Sequence, residues 1–396
     1  MKYLLFIFFA FLLAIPVYSQ SEDPMAPIIR NGFQRALEQY RLLSAQLPAD
    51  KMPQSFDEKT GKLLSRDITW WCSGFYPGSL WLIYEQTGDS AIKKEALRSL
   101  KVIEPNQYFT GNHDLGFMMF CSFGNAYRIT GDQAYIPIIV NAARSLTTRY
   151  RPKIKSIQSW NSSEYWQCPV IIDNMMNLEM LNWVSAKTGD KKFSEIARIH
   201  SKTTLKNHFR PDFSSYHVVD YDTATGKVRR KATWQGASNN SAWSRGQSWG
   251  FYGFLTMYRF SKDPVYLKQA KNIARFILNH PNLPADKIPY WDYDAGFMPL
   301  AKRDASAACI LASALLEMGQ YVSATEREEY LAPARQILKS LSGAEYLYAK
   351  GQGGGFLIRH CVGALPMNSE VDVPLIYADY YYLEALKRYK DWYLKK

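Results

Sequence analysis

Six times along the chain a Ser or an Asp stands just ahead of a long, unusually apolar segment of helical length. The leading residues are Ser73, Asp114, Asp173, Ser244, Asp304 and Asp372, opening segments 74–87, 115–130, 174–188, 245–260, 305–318 and 373–389. Ser and Asp side-chain oxygens accept from the free N–H groups of a first helical turn, so each is expected as an N-cap. More polar, amphipathic stretches lie between them, near 27–45, 90–103, 134–149, 191–208, 264–279 and 327–341. Alternating buried and half-exposed helices predict a closed (α/α)6 barrel of six inner and six outer helices. An open helical solenoid is the competing architecture. If the inner helices run in one direction, their first residues converge on one mouth. Four of the six would bring carboxylates there, an arrangement suited to acid chemistry.

The repeat also shows at the junctions. Thr-Gly-Asp recurs at 87–89, 130–132 and 188–190, and Ser261-Lys262-Asp263 takes the same place later. Gly supplies the left-handed turn that ends one helix, and Asp caps the next.

With 396 residues, 47% of them hydrophobic, the chain can bury a large core, and no linker-like stretch divides it. Residues 21–396 are therefore expected to form one catalytic domain. Residues 1–20 read as a signal peptide: Lys2 precedes the apolar run Leu4–Val17, too short for a stable span. An exported protein, in the bacterial periplasm and without a membrane anchor, is expected. The five Cys are scattered, form no CxxC pair and sit in apolar patterns, as buried thiols do. His and Cys spacing suggests no metal cluster. The formal charge of +12 favours an anionic partner. No nucleic-acid motif is present, so an acidic polysaccharide is the better candidate. Abundant Trp and Tyr could stack on sugar rings.

Two carboxylates stand out. Asp114 lies in Asn112-His113-Asp114-Leu115-Gly116-Phe117, and Asp173 follows the apolar triplet Val170-Ile171-Ile172 and precedes Asn174-Met175-Met176. A poorly hydrated carboxyl has a raised pKa, which suits a proton donor. Ser244-Arg245-Gly246-Gln247-Ser248-Trp249 brings Arg245, a fork for carboxylates, and Trp249, a stacking face, to the start of another inner helix. The preceding loop contributes His217 and Gln235. Asp304 reads as a structural cap bonded to Arg303, Asp372 as a cap, and Asp379 as a carboxylate pairing inside the barrel.

Taken in order, Trp71 to Gly78, His113 to Phe117, Ile172 to Asn177, Arg245 to Gly250, Arg303 to Ala307 and Pro374 to Leu386 resemble glycoside hydrolase family 88, the unsaturated glucuronyl hydrolases. The resemblance covers about residues 30–390 and implies an (α/α)6 barrel. It implies Asp173 as general acid/base and Asp114 as the second essential carboxylate. It implies His217, Gln235, Arg245 and Trp249 around the unsaturated sugar; Trp71, just ahead of the first inner helix, is expected to flank the same opening. Tyr76 stands where a Trp is common, and Ala378 where Gly is usual. The implied substrate is a disaccharide or short oligosaccharide ending in a 4,5-unsaturated uronic acid. Asp173 would protonate C4, and water would add at C5, without metal or organic cofactor. A basic chain with His217 and Arg245 favours glucuronyl substrates from glycosaminoglycans. The alternatives are an unsaturated rhamnogalacturonyl hydrolase, an ordinary inverting glycosidase and a non-catalytic exported glycan-binding protein. The loop Gly363–Ser369 has no Lys to meet a sulfate.

Overall fold

A computed structural model of the chain describes residues 22–394. The expected signal peptide, 1–20, lies outside the described residues. The helices are α1 (Met25–Gln46), α2 (Phe75–Thr87), α3 (Ser90–Ile103), α4 (Asn125–Thr130), α5 (Tyr135–Thr147) and α6 (Asn174–Thr188). They continue with α7 (Lys191–Asn207), α8 (Ser244–Ser261), α9 (Pro264–Leu278), α10 (Ala305–Met318), α11 (Ala324–Leu341) and α12 (Ile376–Trp392). A π-helix, Gly116–Gly124, runs directly into α4.

The inner helices are apolar on all sides and the outer ones carry a single stripe. Every residue of α10 is buried, whereas α3 buries Ile92, Ala96, Ser99, Leu100 and Ile103 along one face. Packing follows that difference. α2 packs on the π-helix, the π-helix on α6, α6 on α8, α8 on α10, α10 on α12, and α12 back on α2. The inner ring is closed, as the (α/α)6 reading requires. One apolar core runs from Met25 to Tyr389. The inner helices are parallel. Arg245 at the start of α8 bonds Asp304 at the start of α10. At the other end Arg259 reaches Glu317, and Arg388 reaches Glu317 at 3.0 Å.

The junctions behave as expected. Gly88, Gly131, Gly189 and Lys262 all take left-handed conformations, and Asp89, Asp190 and Asp263 cap the outer helices behind them. The inner helices differ. Of their six leading residues only Asp304 caps, accepting from Ser306 N–H. Asp372 is not a cap: α12 begins at Ile376, and Asp372 sits at φ 61° in a strand, bonded to His360 and Lys302. Pro374 removes an N–H just there and delays the helix. Freed from capping, Asp114 and Asp173 keep their carboxyls for other partners.

Four small sheets decorate the barrel. β1 (Met52–Asp57) pairs with β2 (Lys62–Arg66), and β3 (Tyr150–Arg151) with β4 (Ser156–Ile157). β5 (Pro169–Ile171), β6 (Val218–Tyr221) and β7 (Val228–Ala232) form a three-stranded sheet, and β8 (Cys361–Ala364) pairs with β9 (Ser369–Val373). All five Cys are free, four of them buried. Among the described residues no helix is long and apolar enough to cross a membrane.

Candidate active site

Strand register sets the first pair. β5 and β6 are antiparallel with Ile171 opposite Val218, and Ile172 N–H extends the ladder to the His217 carbonyl at 3.1 Å. Asp173 therefore leaves the ladder beside His217, whose Nε2 lies 3.8 Å from Asp173 Oδ2. The other ring nitrogen, Nδ1, accepts from the backbone N–H groups of Trp234 (3.1 Å) and Gln235 (3.2 Å). An accepting Nδ1 leaves the imidazole proton on Nε2, facing the carboxyl. Burial holds the His217 pKa well below its ordinary value, so the ring is a neutral donor.

Asp173 has helical backbone angles but makes no capping bond. Its side chain is only 12% exposed. Burial raises its pKa to about 7, with the Arg245 charge pulling the other way. Asp114, 13% exposed, is raised to about 8, first by burial and next by the negative charge of Asp173. The two carboxyls share a weakly hydrated space in which both cannot ionise cheaply. Gly116 makes their approach possible. A Cβ there would stand 2.6 Å from Asn177 Cα, so only Gly lets the π-helix lie against α6. Asn177 Oδ1 then accepts Phe117 N–H at 3.0 Å, and its side chain lies near enough to Asp114 to oppose the rise in that carboxyl's pKa. A π-helix aims its side chains differently from an α-helix and recurs at functional sites.

Arg245 is 1% exposed. Its guanidinium bonds Asp304 at 3.0 Å, the Gly363 carbonyl at 2.6 Å and the Val362 carbonyl. Asp304 is thus paired with Arg245 and not with Arg303, which bonds Asp286 instead. Arg245 fixes strand β8 against the mouth and supplies positive potential to Asp173 from behind, with no fork open to solvent. Gln235 Nε2 donates to the same Gly363 carbonyl at 3.3 Å. Trp249 is fully buried and forms the floor, 5.0 Å from the Phe117 ring and 5.3 Å from Tyr381. Trp71 is half-buried above it, against Tyr377 (4.9 Å) and Phe117 (5.7 Å). Asp114, Asp173, His217, Gln235, Arg245, Trp249 and Trp71 thus belong to one connected cluster at the N-terminal end of the inner ring. Asp379 lies deeper, accepting from the N–H groups of Leu357 and Ile358 and from Tyr40. Tyr76 is away from the cluster, with its hydroxyl between Ser44 and Glu95.

Sequence reasoning missed several partners. His113 Nε2 lies 3.4 Å from Asp114 Oδ1, and burial lowers its pKa to about 3. Asn174 and Asn177 follow Asp173 by one and four positions; i and i+4 share a helix face, a spacing that could have flagged Asn177. Glu370 accepts from Gln54 Nε2 at 2.7 Å beside Gly363. Burial raises its pKa, against the opposing effects of Gln54 and Arg245. Nothing in its local sequence marks it. Among the described residues no grouping of His, Cys, Asp and Glu is placed to hold a metal ion.

The model of Glycosyl Hydrolase Family 88 matches residues 45–394. An unsaturated glucuronyl hydrolase of Formosa agariphila is 42% identical over 372 residues, 93% of this chain and 90% of that protein. An unsaturated chondroitin disaccharide hydrolase of Streptococcus agalactiae is 36% identical over 339 residues, 83% of each. The crystal structure of an unsaturated glucuronyl hydrolase specific for heparin superposes with a TM-score of 0.89 at 44% identity, covering 93% of this chain and all of that one.

Proposed function

The chain belongs to glycoside hydrolase family 88, and from that premise we propose that it releases 4,5-unsaturated glucuronic acid from lyase-generated glycosaminoglycan oligosaccharides, with Asp173 as general acid/base. The observation that carries the reading is Asp173 itself. It is buried and holds its proton to about pH 7, and a neutral His217 N–H faces the same carboxyl group.

The substrate's C4=C5 bond is an enol ether. Asp173 gives its proton to C4, and positive charge develops at C5 and the ring oxygen. The Asp173 carboxylate that results is stabilised by the Nε2–H of His217 and the charge of Arg245. It then takes a proton from water as that water adds to C5. The hemiketal collapses, the ring opens and the neighbouring sugar leaves. Asp173 ends protonated, ready for another cycle. A single acid/base suffices, unlike the carboxylate pair that flanks an anomeric carbon in ordinary glycosidases. Asp114, neutral below about pH 8, holds the sugar ring and keeps negative charge away from Asp173. Trp71, half-buried at the opening, offers the ring an apolar face, and Trp249 backs the floor beneath. Glu370 beside the Lys-free 363–369 segment makes that side of the mouth unfavourable for a sulfate. Export to the periplasm is part of the same proposal, resting on the leader read in residues 1–20.

The test is loss of the unsaturated-uronate absorbance across disaccharides made by chondroitin, hyaluronan, heparin and pectin lyases. Turnover of unsaturated glucuronyl substrates is expected. Preference for the rhamnogalacturonan disaccharide, or no turnover at all, would overturn the assignment.

A further inference from the structure

Arg245, the arginine beside Asp173, is buried and internally paired, so it presents no charge to solvent. Much of the chain's positive charge is gathered elsewhere. A cleft of about 780 Å3 opens between the β3–β4 hairpin, α7 and the turn joining β6 to β7. Lys153, Lys155, Arg198, Lys202, Lys206 and Lys227 line it, with Tyr150 and Tyr221 on its walls. All six cations are exposed. Arg198 pairs with Glu195 at 3.3 Å; among the described residues the five lysines have no carboxylate within ion-pair distance. The nearest acidic group on the turn, Asp222, is occupied by Thr225 N–H and Oγ1.

This is a built surface and not a loose charge run. Arg198, Lys202 and Lys206 repeat every four residues along one face of α7, a row about 12 Å long at 1.5 Å per residue. The walls are fixed to one another. Thr203 Oγ1 donates to the Lys155 carbonyl at 2.9 Å, and Lys155 is held at φ 61°. Asn207 Nδ2 donates to the Tyr221 hydroxyl at 3.0 Å. Gly226, at φ 72°, lies so close to Lys153 that a Cβ would meet its carbonyl oxygen at 2.4 Å. The cleft is separate from the catalytic mouth. Its floor rests on Ile154, Cys168, Val170, Val219 and Tyr221, while Val218 on the other face of the sheet packs with Trp166, Ile171 and Ala232. From His217, just ahead of β6, to Tyr221 at its end is four steps of extended chain, about 13 Å at ~3.3 Å each.

We propose that this cleft is a second, non-catalytic glycan-binding site that holds the internal, sulfated and uronate-bearing part of a glycosaminoglycan chain. A row of cations, most of them unpaired, recognises repeated sulfate and carboxylate groups, and the half-buried Tyr150 offers a ring face to a sugar. Holding a polymer there keeps the enzyme where lyase products are generated. The ligand class rests on the proposed function; the cleft does not.

The test uses the full-length protein and a heparin decasaccharide with a saturated non-reducing end, which the catalytic site cannot process. Binding is measured by calorimetry at two salt concentrations, alongside turnover of an unsaturated disaccharide. The parent should bind, more weakly at the higher salt. Combined Lys153→Ser, Lys202→Ser and Lys206→Ser should weaken binding at least tenfold and leave disaccharide kcat/KM unchanged; Lys202→Glu alone should act in the same direction. Failure of the parent to bind, or equal binding by the triple variant, would overturn the site. Equal affinity for anionic phospholipid vesicles or single-stranded DNA would overturn the glycan assignment, and displacement by unsaturated disaccharide would overturn its separateness. Absence of disaccharide turnover in every protein would refute the catalytic reading alone, because the binding result does not depend on it.

Discussion

Replacing Asp173 by Asn should destroy catalysis and yet stabilise the fold, by an amount that depends on pH. The folded-state pKa of about 7 stands roughly three units above the ordinary 3.8. Each unit corresponds to about 1.4 kcal/mol, so a folded chain with Asp173 ionised carries a penalty approaching ~4 kcal/mol. The sign follows from proton uptake. Between about pH 4 and pH 7 the native state keeps a proton that the unfolded chain releases, so stability falls as pH rises through that window. Asn has the same shape and cannot ionise. Asp173→Asn should therefore be more stable than the parent at pH 8, by up to about 4 kcal/mol, with the gap shrinking below about 1 kcal/mol at pH 4. Urea unfolding of both proteins across this range, with m-values compared, measures the gap. Turnover of an unsaturated disaccharide should fall by about 10²–10⁴ in the same variant. A variant less stable than the parent at pH 8, or a gap independent of pH, would mean that Asp173 is ionised in the fold and is not the acid.

In the parent, kcat/KM should decline as pH rises through about 7, where Asp173 loses its proton; a profile flat to pH 9 would contradict a general-acid role. Gly116→Ala sets a Cβ against the backbone of Asn177 and should cost about 1–3 kcal/mol and lower kcat, read by thermal melts and kinetics together. His217→Ala strands the N–H groups of Trp234 and Gln235, so kcat should fall and stability drop by about 1–3 kcal/mol for each N–H left unsatisfied. Asp304→Ala leaves the Arg245 guanidinium buried without its carboxylate, and unfolding should show a loss of about 3–5 kcal/mol; a silent substitution would show that the backbone carbonyls alone hold Arg245.

The ring of helices was legible because its two signals are local. Apolar segments that are buried on all sides read differently from striped ones, and Thr-Gly-Asp marks a left-handed turn followed by a cap. Capping at the inner helices misled for a physical reason. A Ser or Asp ahead of a helix is equally consistent with a capping oxygen and with a side chain turned elsewhere, and only the second applies to Asp114 and Asp173. Asp372 misled because β9 claims it and Pro374 holds off the helix. Asp173, the candidate acid, could be picked out by its apolar neighbours in the sequence. His113, Asn177 and Glu370 could not, since their meaning depends on which distant strand or helix lies alongside. Arg245 is the sharpest instance. Its neighbours suggest an anion fork, but its partners, Asp304 and the carbonyls of Val362 and Gly363, come from segments more than fifty residues away.

A closed ring has no edge that can be finished early. α2 is flanked on one side by the π-helix and on the other by α12, so the first inner helix made during synthesis waits for the last. α1 waits too, since Gln39 reaches the carbonyls of Gln352 and Phe356. Asp114 and Asp173 precede residues 361–392 in the chain, yet Arg245, whose charge acts on Asp173, is held by the carbonyls of Val362 and Gly363. In the unfolded chain both acids are ordinary carboxylates, ionised at neutral pH. The raised pKa of Asp173 belongs to the folded ring and not to the segment that carries the residue.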